Sequence, residues 1–349
     1  MTKYDPHSEF LANEEQRTER FQHNGRLNGL LAELRDLLAP VQDQVNAGFE
    51  KPQWPVGLIL GSPRSGSTVF LQFLAATGSF AYPTNLLTRF AYAPYIGALI
   101  QNMLFDPKYD YQGDFRDIQS EMTFSSDLGK SQGALATNEF FHFWRKYFPN
   151  FDPDWLTHAQ LITVRLSGCF QSVASIEAVF EKPFVAKGWM FQYNLDFFIN
   201  KMPPSLFLWV KRGPLFVMQS ILWAREQFYD DRNLWLSMKP REYAQLKEMD
   251  VYHQVAGQVY FTEKAIEAGL KDVPQANQLL IEYEAFCEDP KTVYKQIVGK
   301  YAALGCELPS NFEGPESFEC RNEIRLPKDE IEGLQSAYDD FESERIVFS

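Results

Sequence analysis

The stretch VGLILGSPRSGSTVFLQFL, residues 56–74, joins an apolar run, a loop rich in glycine and serine, and the start of a helix. A helix N-terminus presents unpaired backbone N–H groups and the positive end of the helix dipole, and glycines let the chain approach a phosphate closely. The sequence therefore predicts a phosphate-binding loop between a buried strand and a helix. The alternative interpretation of the same residues is a surface turn after a buried strand.

The loop differs from that of nucleoside triphosphatases, which reads G-x-x-x-x-G-K-[ST] and uses its Lys on the β- and γ-phosphates. Gly61 and Gly66 keep the spacing of that pattern, and Thr68 keeps its final hydroxyl. The Lys position, however, is Ser67. The cation of this loop is instead Arg64, whose guanidinium can hold two phosphate oxygens at once. This favours a 5′-phosphate group over a triphosphate chain with its metal ion.

A second unit of the same kind is LFLWVKRGPLFVMQSIL, residues 206–222. Arg212 follows the apolar strand, Pro214 suits the first turn of a helix, and Ser220 lies about two turns into that helix. Side chains at the carboxyl end of a strand and on the next helix can share one crevice at the sheet edge. The unit predicts a second, separate phosphate site, although a solvated Arg and an ordinary helical Ser would leave the same pattern.

Together the two units resemble the sulfotransferase family, whose donor is 3′-phosphoadenosine 5′-phosphosulfate (PAPS) and whose product is adenosine 3′,5′-bisphosphate (PAP). The family's 5′-phosphosulfate loop, P-[KR]-[ST]-G-[ST]-T, matches residues 63–68. Its 3′-phosphate motif, an Arg after a strand and a Ser eight residues later, matches Arg212 and Ser220. The resemblance implies donor binding without a metal ion by the following loop residues: Arg64, Ser65, Gly66, Ser67 and Thr68.

Weaker similarity to bacterial sulfotransferases extends over residues 55–330. It includes Thr137–Glu139 before FFHFWRKYF, Lys187 in PFVAKG, and the Tyr-Glu…Asp-Pro run at 283–290. Sulfotransferases often place a late loop over the 3′-phosphate or adenine of the donor, which here implicates Arg321 and Asn322. This chain lacks the Arg-Lys-Gly form of that loop.

Sulfuryl transfer needs an acceptor hydroxyl in line with the sulfur, a base for its proton, and positive charge over the departing phosphate. Arg64 and the loop amides provide the positive charge. Some related enzymes have a Glu soon after the loop, but residues 82–85 are Tyr-Pro-Thr-Asn. We therefore expect Glu139 to be the base, with His142 second. If this segment is helical, the two residues share a face, because they are three positions apart. Lys187 is expected to contact the sulfuryl group or the acceptor.

Each of these catalytic assignments has a structural alternative. Glu139 could be a carboxylate that stabilises a helix dipole, and His142 could be packed in a core with its aromatic neighbours. Lys187 could be a solvated residue at a strand end.

The composition limits the partners. The net charge of −13 argues against nucleic acid or an anionic membrane surface, because such binding needs distributed Lys and Arg. The aromatic content of 15% includes a Phe- and Tyr-rich region at 85–155, and aromatic side chains stack well on sugars. We expect a carbohydrate or another small hydroxylated acceptor.

The four cysteines form no C-x-x-C pair and have no His partner at metal spacing, so we expect no metal site and reduced, buried thiols.

Strands alternating with helices predict an α/β fold, a P-loop-type parallel sheet flanked by helices. We expect a helical N-terminal extension at 1–50 and one catalytic domain at 51–349. Leucines recur at helical spacing between Leu27 and Leu38, and Pro40 is expected to close that helix. The stripe is expected to pack on the domain, with a homodimer contact as the alternative. Further helices are expected at 158–180, at 189–200 and from 290 to about 304, and a strand at 278–286.

The sequence shows no secretion signal and no membrane span, because its longest apolar stretch is interrupted by Pro, Gly, Gln and Asn. We therefore expect a cytoplasmic, bacterial enzyme. Two other functional classes stay open. A P-loop kinase would need a Lys in place of Ser67 and an acidic Mg²⁺ ligand, whereas a non-catalytic nucleotide-binding module would need only the phosphate sites.

Overall fold

The computed structural model describes residues 15–348, apart from 23, 110–111, 113–123, 125, 127 and 151. Within these residues, four strands form one parallel sheet in the order β2-β1-β3-β4. The strands are β1 (Val56–Leu60), β2 (Val185–Lys187), β3 (Ser205–Lys211) and β4 (Gln278–Glu282). The predicted α/β fold class, a parallel sheet flanked by helices, is confirmed.

Helices precede the sheet and connect its strands. Short 3₁₀ turns lie at Glu19–Phe21, Gln192–Asn194 and Gln275–Asn277. The α-helices, in chain order, are α1 (Gly25–Asn46), α2 (Ser67–Ala76), α3 (Asn85–Arg89), α4 (Pro94–Phe105), α5 (Phe141–Arg145), α6 (His158–Leu161), α7 (Leu166–Phe180), α8 (Leu195–Phe198), α9 (Pro214–Tyr229), α10 (Tyr243–Leu246), α11 (Val251–Leu270), α12 (Tyr283–Glu288), α13 (Pro290–Ala303) and α14 (Lys328–Glu342).

The central strands β1 and β3 are largely buried on both faces, which explains why they are apolar at successive positions, whereas the edge strand β4 leaves Leu280 47% exposed. In β1, Val56, Leu58 and Leu60 join one hydrophobic cluster, which also contains residues of α7. Ile59 joins a second cluster on the other face, with residues of α2 and α13. Because β1 and β3 are parallel neighbours, their carboxyl ends meet at one edge of the sheet. The two phosphate motifs predicted from the sequence begin at that edge.

Three predicted element boundaries are wrong. The expected strand at 278–286 ends at Glu282, opposite Lys211, where β3 also ends and no partner strand continues. The chain then turns into α12. The helix expected at 158–180 is divided into α6 and α7, with residues 162–165 between them. The helix expected at 189–200 contains only the 192–194 turn and the one-turn helix α8.

The N-terminal helix α1 is longer than predicted and packs on the domain along part of its leucine stripe. It does not end at Pro40 but continues to Asn46. Leu30 and Leu37 are 56% and 65% exposed, whereas Leu27, Leu31, Leu34 and Leu38 are half-buried, so the leucine stripe packs on the domain only in part. The contact of α1 with α7 includes a buried hydrogen bond, in which Asn46 Nδ2 donates to Ser172 Oγ at 3.0 Å. The division at residue 50 and the homodimer contact stay predictions.

Two findings bear on the other expectations. None of the helices in the described ranges has the length and apolar character that crossing a bilayer requires. The four cysteines are free thiols, of which Cys169, Cys287 and Cys306 are buried. Cys320 is exposed, so the expectation that all four are buried is wrong for this residue.

Candidate functional site

The loop between β1 and α2 curls into a left-handed turn. Arg64 has a φ angle of +68° and Gly66 one of +96°. Helix α2 begins at Ser67 with Gly66 as its N-cap, so its first-turn N–H groups have no intrahelical acceptors. Gly66, Ser67 and Thr68 line a large cavity. The turn therefore presents amide donors and the positive end of a helix dipole to that cavity.

Glycine is required at position 66 by its surroundings as well as by its backbone angle. A Cβ atom there would lie 2.3 Å from Cδ2 of Tyr283, the first residue of α12. The Tyr283 ring also lies under the Arg212 guanidinium, with 4.9 Å from the Arg212 Cζ atom to the ring centroid. One aromatic ring therefore supports both the loop and the cation of the second motif.

The two predicted phosphate motifs touch each other. Arg64 Nε donates to Ser220 Oγ at 3.1 Å, although the two residues are 156 positions apart. Arg212 Nη1 donates to the backbone oxygen of Arg64 at 3.1 Å. Because β3 lies beside β1, Arg212 leaves the sheet next to the loop, and α9 then carries Ser220 over it. The arrangement forms one site with two cationic positions.

The late segment contacts this site too. Arg212 Nε donates to Oδ1 of Asn322 at 2.9 Å, and Arg212 Nη2 donates to the backbone oxygen of Arg321 at 2.5 Å. Asn322 Nδ2 in turn donates to Oε1 of Glu284 at 2.6 Å, and the same oxygen accepts from the Gly213 N–H at 3.1 Å. Glu284 thus holds the late segment against the start of α9.

Adjacent guanidinium groups make the site electropositive. Burial, and second the nearby Arg212 cation, lower the pKa of Arg64 to about 10. Burial also lowers the pKa of Arg212. Both groups are still cations at neutral pH, so each disfavours the charge of the other. A bound anion would relieve this repulsion, as expected for a phosphate site.

A second polar cluster lies on the other side of the loop. Lys187, at the end of β2, is 3% exposed. Its Nζ donates to Thr68 Oγ1 at 2.8 Å and to Glu139 Oε1 at 2.9 Å, and it lies 4.3 Å from the centroid of the Trp189 ring. Burial lowers the pKa of Lys187, and the Glu139 carboxylate opposes that effect. Lys187 therefore connects the candidate base to the phosphate loop.

Glu139 and His142 do not share a helix face, because the segment is not helical at Glu139. Helix α5 begins only at Phe141, because Phe140 has a φ angle of +60° and interrupts the helical backbone. Asn138 Oδ1 accepts the Phe140 N–H at 3.0 Å and stabilises that turn. Glu139 therefore lies before the helix and His142 within it, yet both line the cavity.

The cavity measures about 1210 Å³, above the usual range for a single small ligand. Its wall includes the cations Arg64, Arg212 and Arg321 and the aromatic residues Phe141, Trp189 and Trp235. Residues from the phosphate loop, α5, α9 and the late segment thus surround one space. The space suits a nucleotide and a second small molecule together.

Ser65 differs from the other loop residues predicted to bind the donor. It is fully buried and does not line the cavity formed by the described residues. Its N–H donates to the Ser62 backbone oxygen at 3.2 Å, and its Oγ has no hydrogen-bond partner among the described residues. Ser65 therefore stabilises the turn from its buried side, away from the cavity. The P-R-S-G-S-T pattern alone does not show whether the residue at this position stabilises the turn or contacts the ligand.

In the part of the chain that the structure describes, no group of three His, Cys, Asp or Glu side chains is placed to bind a metal ion.

Comparison with known proteins identifies the fold. No family model and no curated protein sequence matches the chain. Among solved structures, the sulfotransferase STF9 from Mycobacterium avium aligns with 83% of this chain and 76% of its own, at 15% identity and a TM-score of 0.53. Sulfotransferase STF1 from Mycobacterium tuberculosis H37Rv aligns with 89% of this chain and 80% of its own, at 13% identity and a TM-score of 0.48. The chain has the sulfotransferase fold, which confirms at this level the resemblance seen in the motifs.

Proposed function

We propose that the chain is a sulfotransferase that moves the sulfuryl group of PAPS to a hydroxyl of a carbohydrate or another small hydroxylated acceptor. The observation that carries this proposal is the contact between the two phosphate motifs, the Arg64–Ser220 hydrogen bond of 3.1 Å. A ligand that fills both motifs must carry two separate phosphate groups. PAPS and PAP have this property, with groups at the 5′ and 3′ positions.

In the proposed complex, the 5′-phosphosulfate lies on the first turn of α2, against the amides of Gly66, Ser67 and Thr68. The 3′-phosphate lies near Arg212 and Ser220. The short distance from Arg64 to Ser220 supports a guanidinium that serves both phosphates. Arg321 and Asn322, which contact Arg212, would cover the 3′ end of the nucleotide.

The reaction proposed is an in-line displacement at sulfur. The acceptor oxygen forms a bond to sulfur, the bond from sulfur to the bridging phosphate oxygen breaks, and PAP leaves with that electron pair. The hydroxyl proton passes to the Glu139 carboxylate. Arg64 and the loop amides stabilise the charge that develops on the departing phosphate. Lys187, between Glu139 and Thr68, holds the base beside the loop and adds positive charge.

Glu139 is favoured as the base over His142 because of its partner. Its carboxylate contacts Lys187, and Lys187 contacts the loop residue Thr68, so Glu139 lies one side chain away from the proposed phosphosulfate position. His142 lines the same cavity from α5 and is the second candidate. The rings of Phe141 and Trp189 beside these residues support an acceptor with a flat apolar face, such as a sugar ring.

The alternative of a metal-dependent kinase is disfavoured by Lys187. In P-loop nucleotidases, the hydroxyl at the position of Thr68 binds Mg²⁺. Here that hydroxyl accepts a hydrogen bond from an ammonium group at 2.8 Å, so one of its two lone pairs is engaged and a cation of the protein repels a metal ion that approaches the other. A non-catalytic binding module differs from the proposal only in lacking turnover.

Calorimetric titration with PAP and, separately, with ATP–Mg²⁺ tests the donor assignment. We expect PAP to bind without metal, and Arg212→Ala to weaken that binding at least tenfold, as for loss of a charged phosphate contact. Lys264→Ala, at a side chain 56% exposed on the surface, is the matched control and should bind as the wild type does. Preference for ATP–Mg²⁺ would refute the sulfotransferase proposal. Retained PAP binding with no release of PAP from PAPS, over a panel of acceptors, would indicate the non-catalytic module.

A further inference from the structure

The phosphate loop holds a backbone conformation that it would not adopt alone. Arg64 is a non-glycine residue with a φ angle of +68°, and such residues persist only where their surroundings over-determine them. Within the turn, the Ser65 N–H donates to the Ser62 backbone oxygen at 3.2 Å. Contacts from other elements must provide the remaining constraint. Ser62, fully buried at the start of the turn, makes the shortest of them.

Ser62 is anchored by a carboxylate from α11. Its Oγ donates to Oε1 of Glu263 at 2.6 Å, across 201 positions of sequence. The other oxygen of that carboxylate accepts from Trp209 Nε1 at 3.0 Å. Trp209 belongs to β3, the strand beside β1. Both carboxylate oxygens are therefore engaged, which fixes the Glu263 side chain between the sheet and the loop.

We infer that Glu263 is a positioning residue for the phosphate loop, acting through Ser62. This inference rests on the proposed function, because only the proposed function makes PAPS or PAP the ligand of the loop. Neither residue is among the described residues that line the cavity, and Ser62 is fully buried, so the inferred effect on the ligand is indirect. A carboxylate close to a phosphate site also repels the anion that the site binds. Its electrostatic effect and its positioning effect on PAP binding therefore have opposite signs.

The two effects can be separated by substitution. Glu263→Ala removes the charge and the anchor, whereas Ser62→Ala removes only the anchor. If Glu263 positions the loop, both variants weaken PAP binding by about tenfold, because a loop that is no longer pre-organised must be ordered on binding. The double variant should then be no weaker than Glu263→Ala, since one hydrogen bond is shared. Glu267→Ala removes a carboxylate one turn further along α11, on the exposed surface, and should change nothing.

Amide hydrogen exchange without any ligand provides the second measurement. We expect residues 61–68 to exchange faster in Glu263→Ala and in Ser62→Ala than in the wild type, and to be unchanged in Glu267→Ala. Tighter PAP binding in Glu263→Ala, with unchanged exchange in Ser62→Ala, would show a purely electrostatic effect and overturn the inference. If Glu263→Ala does not fold, Ser62→Ala alone decides between these outcomes. Failure of the wild-type protein to bind PAP would refute the proposed function, whereas the exchange result would still decide whether Glu263 orders the loop.

Discussion

Replacing Gly66 by Ala should damage both stability and donor binding. A φ angle of +96° costs an L-residue about 1–2 kcal/mol, against which the less flexible unfolded chain returns about 0.4–1 kcal/mol. The new Cβ would lie 2.3 Å from Tyr283 Cδ2, and carbon atoms pack at about 3.5 Å, so the ring must move by roughly 1.2 Å. Overpacking of a buried ring costs about 1–3 kcal/mol. We expect Gly66→Ala to lower the free energy of unfolding by about 1–5 kcal/mol in total.

Gly78→Ala is the matched control. Gly78 also has a left-handed φ angle, +67°, but no atom lies within 4 Å of the position that a Cβ would take there, so only the backbone cost of about 1 kcal/mol remains. Urea unfolding of both variants separates the steric part from the backbone part. Because Tyr283 supports Arg212, Gly66→Ala should also weaken PAP binding at least tenfold, and Gly78→Ala should not. Equal destabilisation by the two substitutions would refute the reasoning about the Tyr283 contact.

Three other predictions concern single side chains. Burial raises the pKa of Glu177 from 4.5 to about 7, so the folded protein retains a proton that the unfolded chain loses as the pH rises. The free energy of unfolding should thus fall by about 3 kcal/mol from roughly pH 4 to pH 8. In urea titrations at several pH values, Glu177→Gln should depend less steeply on pH than the wild type. The same dependence on pH in both proteins would contradict the prediction. Glu139→Gln should slow PAP release from PAPS by about 10²–10⁴-fold and leave PAP affinity within about twofold, whereas unchanged turnover would exclude Glu139 as the base. Ser220→Ala should weaken PAP binding by about 3–10-fold in calorimetry, the effect of one hydrogen bond, and an unchanged affinity would remove Ser220 from the site.

The parts of the fold that follow from short-range patterns were predictable. The phosphate loop and its flanks, Val56 to Leu74, form a buried strand, a turn and a helix as their sequence indicates. The same holds for β3 and the start of α9 at Pro214. In each case a continuous apolar run, a glycine and a helix-starting residue are adjacent in sequence, so the local preference and the tertiary environment agree.

Other features depended on partners distant in sequence or on one residue that leaves the helical backbone conformation. The apolar run at 278–286 continues as a helix because β3 ends opposite Glu282, and the length of β3 is not encoded in that run. The left-handed Phe140, which removes Glu139 from α5, is stabilised by its Asn138 neighbour and lies among aromatic residues that would suit a helix equally well. Glu263 resembles any other carboxylate of α11 until Ser62 and Trp209 are placed beside it.

The contact between Arg64 and Ser220 also has a consequence for how the chain is held together. Their two segments are separated by 156 positions and meet only in the native fold, so the bisphosphate that we propose to bridge them would bind the folded chain and not the unfolded one. By mass action, a ligand at about one hundred times its dissociation constant would add about 2.7 kcal/mol to the free energy of unfolding. The nucleotide would then act as a removable cross-link between the two halves of the sheet, and the melting temperature of the protein would report on cellular donor supply.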